Sequence, residues 1–263
     1  MLLTVLIYLA LGALAGILSG LFGIGGGLVI VPVLLTILPW MGVAPEILIH
    51  LAIGTSLATI VVTSSSGIRA HNKRGNVDWA IVKRFVPWVI LGSFTGGSIA
   101  ALLPGALLER LFAIFLLLVA TQMWFSLRPN PDRTLPSTPG LALAGGLIGS
   151  ISSMFGIGGA TISVPFLRWC SLPITRAVGV SATLAFPIAL AGVTSYLING
   201  WGEPNLPEWS LGYVYLPAFI GIVVASTQFV RVGAALAVKL PAHVLQRAFA
   251  AFMALLGLRL LML

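Results

Sequence analysis

The sequence predicts an all-α polytopic membrane protein, and both its composition and the length of its apolar runs support that fold class. Of the 263 residues, 59% are hydrophobic and only 8% are charged, which leaves too little polar surface to cover a soluble domain. Several apolar runs reach the roughly 20 residues that a helix needs to cross a bilayer. Because the backbone must satisfy its own hydrogen bonds in lipid, these runs are predicted to be helical.

Eight apolar segments follow one another, and all of them are predicted to be helical. They are Leu2–Leu38, Ile47–Ile68, Trp79–Leu103, Leu107–Leu127, Gly140–Leu167, Ala177–Ile198, Ser210–Val238 and His243–Met262. The formal charge of +8 lies mainly in the short loops between them. Basic residues set membrane orientation there, so no nucleic-acid partner is predicted. The single cysteine, Cys170, excludes an internal disulfide, and neither a metal nor another cofactor is predicted.

The first and fifth segments share a glycine-rich motif. LFGIGGGLVIVP at Leu21–Pro32 returns as MFGIGGATISVP at Met154–Pro165. Between residues 18–34 and 151–167, nine of 17 positions are identical, which is more than shared hydrophobicity explains. Inside a helix, glycine costs roughly 1 kcal/mol relative to alanine and proline about 3 kcal/mol. A chain that breaks the same helix twice therefore points to a function for the break.

Two fainter repeats extend the duplication along the chain. IGTS at Ile53–Ser56 matches VGVS at Val178–Ser181, and LPGALLERLF at Leu103–Phe112 matches LPAHVLQRAF at Leu240–Phe249. The proline-rich polar stretch between the halves matches nothing else in the chain. We therefore predict two homologous repeats, residues 1–127 and 140–263, joined by a connector of residues 128–139.

Loop charge predicts that the two repeats have inverted topology. The loop Arg69–Arg84 is strongly basic, whereas its counterpart Asn199–Trp209 carries two glutamates and no base. Short basic loops stay cytoplasmic, so these equivalent loops should lie on opposite sides. Four segments per repeat permit inversion only if one of them enters and leaves on the same side. Each repeat is therefore predicted to be a glycine-broken helical hairpin plus three transmembrane helices, although the first arm is long enough to span alone.

The two glycine breaks are predicted to form one anion-binding site. A helix that restarts after a break presents free N–H groups and the positive end of its dipole, and inverted repeats bring two such ends together near the midplane. The alternative is close helix packing, which the small residues Gly12, Gly16 and Gly20 favour. The predicted substrate-binding residues are Gly23, Ile24, Gly25, Gly26, Gly27, Gly156, Ile157, Gly158, Gly159 and Ala160 of the motifs, the hydroxyl residues Ser19, Ser152, Thr55, Ser56, Ser181 and Thr183, and Arg231 and Gln228.

The polar candidates each have a structural alternative. A hydroxyl can donate to an oxyanion, but in a membrane helix it equally bonds its own backbone. The planar guanidinium of Arg231 suits a sulfonate or carboxylate, and snorkelling to the cytoplasmic surface is the alternative. His50, near Glu46, can titrate, although a histidine at a helix end commonly just faces water. Because the acidic residues fall in loops or at helix ends, a buried carboxylate as proton carrier is not favoured. The alternatives are uniport, or coupling through a histidine, a backbone-bound ion or the substrate's own protonation.

The paired FGIGGG and FGIGGA motifs, each followed by VP, and the duplicated halves resemble the sulfite exporter TauE/SafE family, also called the 4-toluene sulfonate uptake permeases. The resemblance covers nearly the whole chain. It implies a multi-pass carrier in the inner membrane of a bacterium or archaeon, for small sulfur-containing anions such as sulfite, thiosulfate, sulfoacetate or other organosulfonates. It assigns neither one anion nor a direction. Ala160 stands where Gly27 does in the first repeat, so the two ends need not contact substrate equally.

Alternating access about a midplane site is the predicted mechanism, and an anion channel that uses the same helix ends is the alternative. An enzyme is not predicted, because the histidines lie at segment ends and the aspartates in loops, which leaves no catalytic group at membrane depth. The expected partners are the substrate anion and the lipid bilayer. A homodimer is a possible assembly.

Overall fold

The computed structural model describes residues 2–22, 27–125, 134–239 and 242–262. Helices dominate this part of the chain, so the all-α prediction is confirmed. The elements are α1 (Leu2–Phe22), α2 (Gly27–Ile37), a 3₁₀ helix (Leu38–Met41), α3 (Pro45–Lys73), α4 (Trp79–Leu102), α5 (Gly105–Trp124), α6 (Thr138–Met154), α7 (Ala160–Trp169), α8 (Ile174–Asn199), β1 (Ser210–Leu211), β2 (Val214–Tyr215), α9 (Leu216–Lys239) and α10 (Ala242–Met262). Among the described residues, α3, α4, α5 and α8 are long and apolar enough to cross a membrane.

Local chemistry explains several of the helix starts. Pro45, Pro104 and Pro173 stand at the starts of α3, α5 and α8, where the missing N–H of proline costs nothing. Asp78 caps α4, since its carboxylate accepts hydrogen bonds from the N–H groups of Ala80 and Ile81 at 3.1 and 3.3 Å. These signals define where the spanning helices begin.

The second glycine motif interrupts the helix and reverses the chain. Between α6 and α7, Gly156 and Gly159 have φ angles of 67° and 78°, a left-handed conformation that glycine adopts without strain. Gly159 lies beside the Ser152 side chain near the end of α6. Farther along α7, Phe166 packs edge-on against Phe85, which also borders Gly145 in the middle of α6. The helix α7 therefore runs back along α6, and its ten residues rise only about 15 Å.

The first motif has the same layout as far as it is described. The helix α1 ends at Phe22, and α2 begins at Gly27 and contains Pro32. Gly23, Ile24, Gly25 and Gly26 lie outside the described residues, as does part of the predicted connector, residues 128–133. The 11 residues of α2 are too few to cross the hydrocarbon core.

Small residues bring two helix pairs into close contact. In α1, Gly12 and Gly16 lie against Ile222 and Ser226 of α9, and in α6, Gly145 and Gly149 lie against Phe85 and Val89 of α4. A Cβ at these glycines would crowd the facing helix, so the packing interpretation holds for this face of the chain. The two pairs also correspond, because α6 packs on α4 as α1 packs on α9.

Two further helix pairs run antiparallel. Leu57 of α3 contacts Gly192 of α8, whereas Asn76, just after α3, contacts Gly179 near the start of α8. In the other pair, the Gln246 amide near the start of α10 donates to the carbonyl of Met123 at the end of α5, at 2.7 Å. Each pair consists of helices that the predicted repeat would make equivalent.

The segment Ser210–Val238 is not helical throughout, so that prediction is wrong for its first six residues. Ser210 pairs with Tyr215, and Leu211 pairs with Val214, in a two-stranded antiparallel hairpin. Gly212, with a φ of 50°, begins the two-residue turn, a position where positive φ is required. We call residues Ser210–Tyr215 the tyrosine hairpin, because it contains two of the four tyrosines of the chain.

Exposed tryptophans mark both ends of the spanning helices. Trp40, Trp201 and Trp209 are exposed at one end, and Trp79 and Trp124 at the other. Tryptophan prefers the two membrane–water interfaces, where its indole lies at headgroup level. This distribution agrees with a multi-pass membrane protein.

Candidate functional site

The two glycine motifs meet inside the protein. Gly27, the first residue of α2, is packed so closely on the second motif that a Cβ there would overlap the carbonyl oxygen of Gly156. The same Cβ would lie 3.0 Å from the Cα of Ile157. A side chain at position 27 would therefore push the two motifs apart, which explains the glycine.

The start of α7 leaves several backbone donors free. Ile162 and Ser163 donate their N–H groups to the carbonyl of Gly159, at 3.0 and 2.8 Å. By contrast, the N–H groups of Gly158, Gly159, Ala160 and Thr161 have no acceptor within the described parts of the chain. Residues 156–159 are buried. The positive end of a helix dipole is therefore buried with its donors unpaired, an arrangement that favours a bound anion.

Two hydroxyls beside this helix end are also unpaired. Ser152 Oγ and Thr161 Oγ1 are buried and have no hydrogen-bond partner in the described structure. Ser152 Oγ lies 3.4 Å from the position of a Cβ built on Gly159. A buried hydroxyl without a partner is costly unless a ligand or water satisfies it. Ser152 was among the predicted site residues, and Thr161 is a further donor at the same place.

Three other predicted hydroxyls are used by the protein itself. Ser56 donates to the carbonyl of Gly156 at 2.8 Å, and Thr183 donates to that of Gly179 at 2.9 Å. Thr55 accepts a hydrogen bond at 3.0 Å from the N–H of Tyr215. The hydrogen bond from Ser56 thus holds the second motif in place. Thr55 joins the tyrosine hairpin to α3, and Thr183 bonds its own helix.

Ser181 is the repeat counterpart of Ser56, since VGVS matches IGTS. Its hydroxyl is buried and has no partner in the described part of the chain. By the same repeat, the counterpart of the Gly156 carbonyl is that of Gly23, which lies outside the described residues.

The remaining predicted residues are less closely tied to the break. Gln228 is exposed on α9, and no hydrogen bond joins it to the break among the described residues. The side chains of Ser19 and Arg231 lie outside the described part of the structure, so both stay predictions.

An apolar wall completes the site, and sequence reasoning missed it. Gly158 lies next to Ile60 of α3 and Ala185 of α8, with distances of 3.5 and 3.3 Å to its Cβ position. Each of these residues follows a predicted serine by four positions, Ser56 in α3 and Ser181 in α8. Helical periodicity puts residues four apart on one face, so this spacing could have identified both.

No carboxylate or base belongs to the described surroundings of the break. Asp78 caps α4, Glu46 lies in the first turn of α3, and Glu203 and Glu208 lie in the loop before the tyrosine hairpin. Among the described residues, the groups at the break are backbone dipoles and hydroxyls, and no acidic side chain there repels an anion.

The sequence as a whole matches one protein family. Residues 8–260 match the profile of the family described as "Sulfite exporter TauE/SafE". The chain belongs to this family. The names of this chain's relatives describe membrane transporters and not enzymes.

Three curated relatives illustrate how far the similarity extends. A "Probable membrane transporter protein" of Haemophilus influenzae is 40% identical over 97% of both chains. One from Methanocaldococcus jannaschii is 31% identical over 81% of this chain and 77% of its own, and YdhB of Bacillus subtilis is 31% identical over 94% and 96%. No solved structure matches this chain. The TauE/SafE protein described here is therefore a multi-pass membrane transporter.

Proposed function

We propose that this protein is a secondary carrier that moves small sulfur-containing anions, such as sulfite, thiosulfate, sulfoacetate or other organosulfonates, across the inner membrane of a bacterium or archaeon. One observation carries the proposal. At the buried start of α7, several N–H groups and two hydroxyls have no partner among the described residues, and this helix end lies directly against Gly27 of the other motif. The starts of α2 and α7 would then bind the same anion.

The chemistry of the break suits a weakly basic oxyanion. Up to four N–H groups and the hydroxyls of Ser152 and Thr161 can donate to it, and hydrogen bonds to a charged acceptor are stronger than those between neutral groups. The apolar wall of Ile60 and Ala185 excludes water, which strengthens these dipolar interactions. The sulfur in the substrate comes from the family description alone, and the described break by itself supports only a small anion.

We further propose alternating access by two inverted repeats, residues 1–127 and 140–263. The helices α3 and α8 run antiparallel, as do α5 and α10, and both pairs support this topology. It is also supported by the contact of α1 in one repeat with α9 in the other, because their counterparts α6 and α4 pack in the same way. Because each repeat contributes one helix end to the site, a rocking motion of one repeat against the other would open the site to either side in turn.

Transport by purified protein in liposomes tests the carrier proposal. We expect saturable uptake of radiolabelled sulfite or thiosulfate and acceleration by unlabelled substrate on the opposite side. Flux that neither saturates nor shows such countertransport would identify an anion channel. No flux and no thermal stabilisation by sulfite, thiosulfate, sulfoacetate, taurine or sulfate would reject an anion carrier of this class.

A matched pair of glycine variants connects the flux to the break. Gly158→Leu forces a side chain against Ala185 and Ile60, which a Cβ at position 158 already contacts at 3.3 and 3.5 Å, and should abolish transport. Gly146→Leu is the control, because a Cβ at Gly146 meets no atom within 4 Å. Equal transport by both folded variants would remove the break from the substrate path.

A further inference from the structure

His50 is a buried titratable residue that the proposed anion site does not use. It is 3% exposed. Its Nε2 lies 3.2 Å from the carbonyl oxygen of Ala100 and 3.1 Å from that of Leu103. Because both partners are acceptors, Nε2 carries the ring proton. Nδ1 is then a bare acceptor, buried without a hydrogen-bond partner in the described part of the chain.

The tyrosine hairpin covers this histidine. The ring of Tyr213 stacks on the imidazole with a centroid distance of 5.1 Å, and Tyr196 of α8 packs edge-on against Tyr213. Tyr8 of α1 packs edge-on against Tyr215. All four tyrosines of the chain are therefore buried in or against the hairpin. The imidazole forms the floor of this aromatic cluster.

A short path connects the histidine to the anion site. The N–H of Tyr215 donates to Thr55 on α3, and the next residue, Ser56, donates to the Gly156 carbonyl in the break. From His50 to Ser56 the helix rises only about 9 Å. Gly54 lies against the backbone of Tyr213 so closely that any Cβ would overlap it. A shift of the hairpin would therefore act on the same turns of α3 that hold the break.

We propose that Nδ1 of His50 binds the proton that couples this carrier to the pH gradient, an inference that rests on the proposed function. Proton binding forms an N–H bond at Nδ1 and places one positive charge on the ring. The face of Tyr213 attracts that charge, but a charged ring that is buried under the closed hairpin loses its hydration, which is costly. The protonated ring thus favours an arrangement in which the hairpin has moved and water or a carboxylate reaches Nδ1.

Two acidic residues lie near the histidine at this end of the molecule. Glu203, in the loop before the hairpin, interacts electrostatically with both His50 and Tyr213, and Glu46 lies one turn earlier on α3. Among the described residues, the backbone carbonyls of Ala100, Leu103 and Glu46 interact with the ring. Tyr196 of α8 packs on Tyr213. Burial, and secondly Glu203, raise the pKa of Tyr213, so this phenol stays neutral. By loop charge, this end of the molecule faces outward.

Cysteine labelling tests the proton site without any substrate. Cys170 is the only cysteine, so Cys170→Ala provides the background. Val214→Cys reports hairpin movement because Val214 is 4% exposed, and Leu211→Cys is the reference because Leu211 is 45% exposed. Membrane-impermeant maleimide labelling is measured from about pH 8 to 6, a range that brackets ordinary histidine titration. The ratio of the two rates cancels the thiolate dependence.

We expect this ratio to rise on acidification by up to about tenfold per pH unit, the limit for one proton. The rise should vanish with His50→Gln, whose amide can still donate to the two carbonyls, and with His50→Asn. It should persist with His71→Gln, at the other end of α3. A flat ratio in the parent protein, or an unchanged rise in both folded His50 variants, would overturn the inference.

Flux measurements separate this inference from the proposed function. In liposomes we expect His50→Gln to keep thiosulfate countertransport and to lose the dependence of net thiosulfate flux on external pH. Thiosulfate is suitable because its own charge is constant over this range. A protein without flux whose labelling ratio still depends on His50 would reject the carrier and keep a proton-sensitive hairpin. Normal flux with the parental pH dependence in both His50 variants would keep the carrier and reject the coupling role.

Discussion

Replacing Ser152 by alanine separates substrate binding from folding, because the protein itself does not use this hydroxyl. Ser152 Oγ is fully buried and has no partner among the described residues. Ser153, the next residue of α6, is also fully buried but donates to the carbonyl of Ser150 at 3.1 Å. The two serines share a helix and a degree of burial, and they differ in whether the hydroxyl is free for a ligand. Ser153→Ala is therefore the matched control.

The two variants should change stability and affinity in opposite ways. Ser152→Ala removes an unpaired polar group and should leave the melting temperature unchanged or raise it. A hydrogen bond to a charged ligand contributes about 1.5–3 kcal/mol, so the anion Kd should rise roughly 10- to 100-fold. Ser153→Ala should cost up to about 1 kcal/mol of stability, because its bond within the helix is lost, and should leave Kd unchanged.

Calorimetric titration of purified protein with the anion selected by thermal-shift screening measures Kd, and thermal unfolding without anion measures stability. A Kd for Ser152→Ala within a factor of about two of the parental value, well below the loss expected for one charged hydrogen bond, would refute the argument. An equal loss of affinity in Ser153→Ala would show that the effect comes from helix packing.

Three further substitutions test the contact between the two motifs, the hydrogen bond from Ser56 to the break, and the role of Arg231. Gly27→Ala should reduce transport strongly because its Cβ would overlap the second motif, whereas Gly67→Ala, with open space around it, should transport normally in the same liposome assay. Ser56→Ala should lower the stability of the folded protein in thermal unfolding by about 1–3 kcal/mol, because the buried Gly156 carbonyl loses its donor; an unchanged melting temperature would speak against that hydrogen bond. Arg231→Gln should raise the anion Kd at least several-fold if the guanidinium binds substrate, and a parental Kd would assign it to snorkelling.

Much of the fold could be predicted because strong local signals agree with it. Glycine and proline disfavour helix so strongly that the sequence alone predicts the break after Met154. The duplication then located a second break at the equivalent place. Loop charge gave the inverted topology as a hypothesis, because the cost of moving basic residues across a membrane acts on each short loop independently of packing.

The tyrosine hairpin could not be predicted from its own residues. Its sequence, SLGYVY, continues without a polar interruption into the apolar α9, and hydropathy cannot distinguish a buried strand pair from helix. What stabilises it is distant in sequence, namely the hydroxyl of Thr55 and the imidazole of His50. The pairing of these residues follows from tertiary packing, which no local pattern records.

The candidate site was predictable in its backbone and less so in its side chains. The glycines had a local reason to form it, since consecutive glycines disfavour helix. The hydroxyls had no such local signal. Nothing in the sequence distinguishes Ser56 from Ser152, and tertiary packing alone determines that Ser56 donates to a carbonyl whereas Ser152 has no partner among the described residues.

The hydrogen bond from Ser56 to Gly156 crosses from one repeat to the other. The break in the second half is therefore completed by a helix of the first half. Residues 140–263 expressed without residues 1–127 would leave the buried Gly156 carbonyl without the donor that Ser56 supplies.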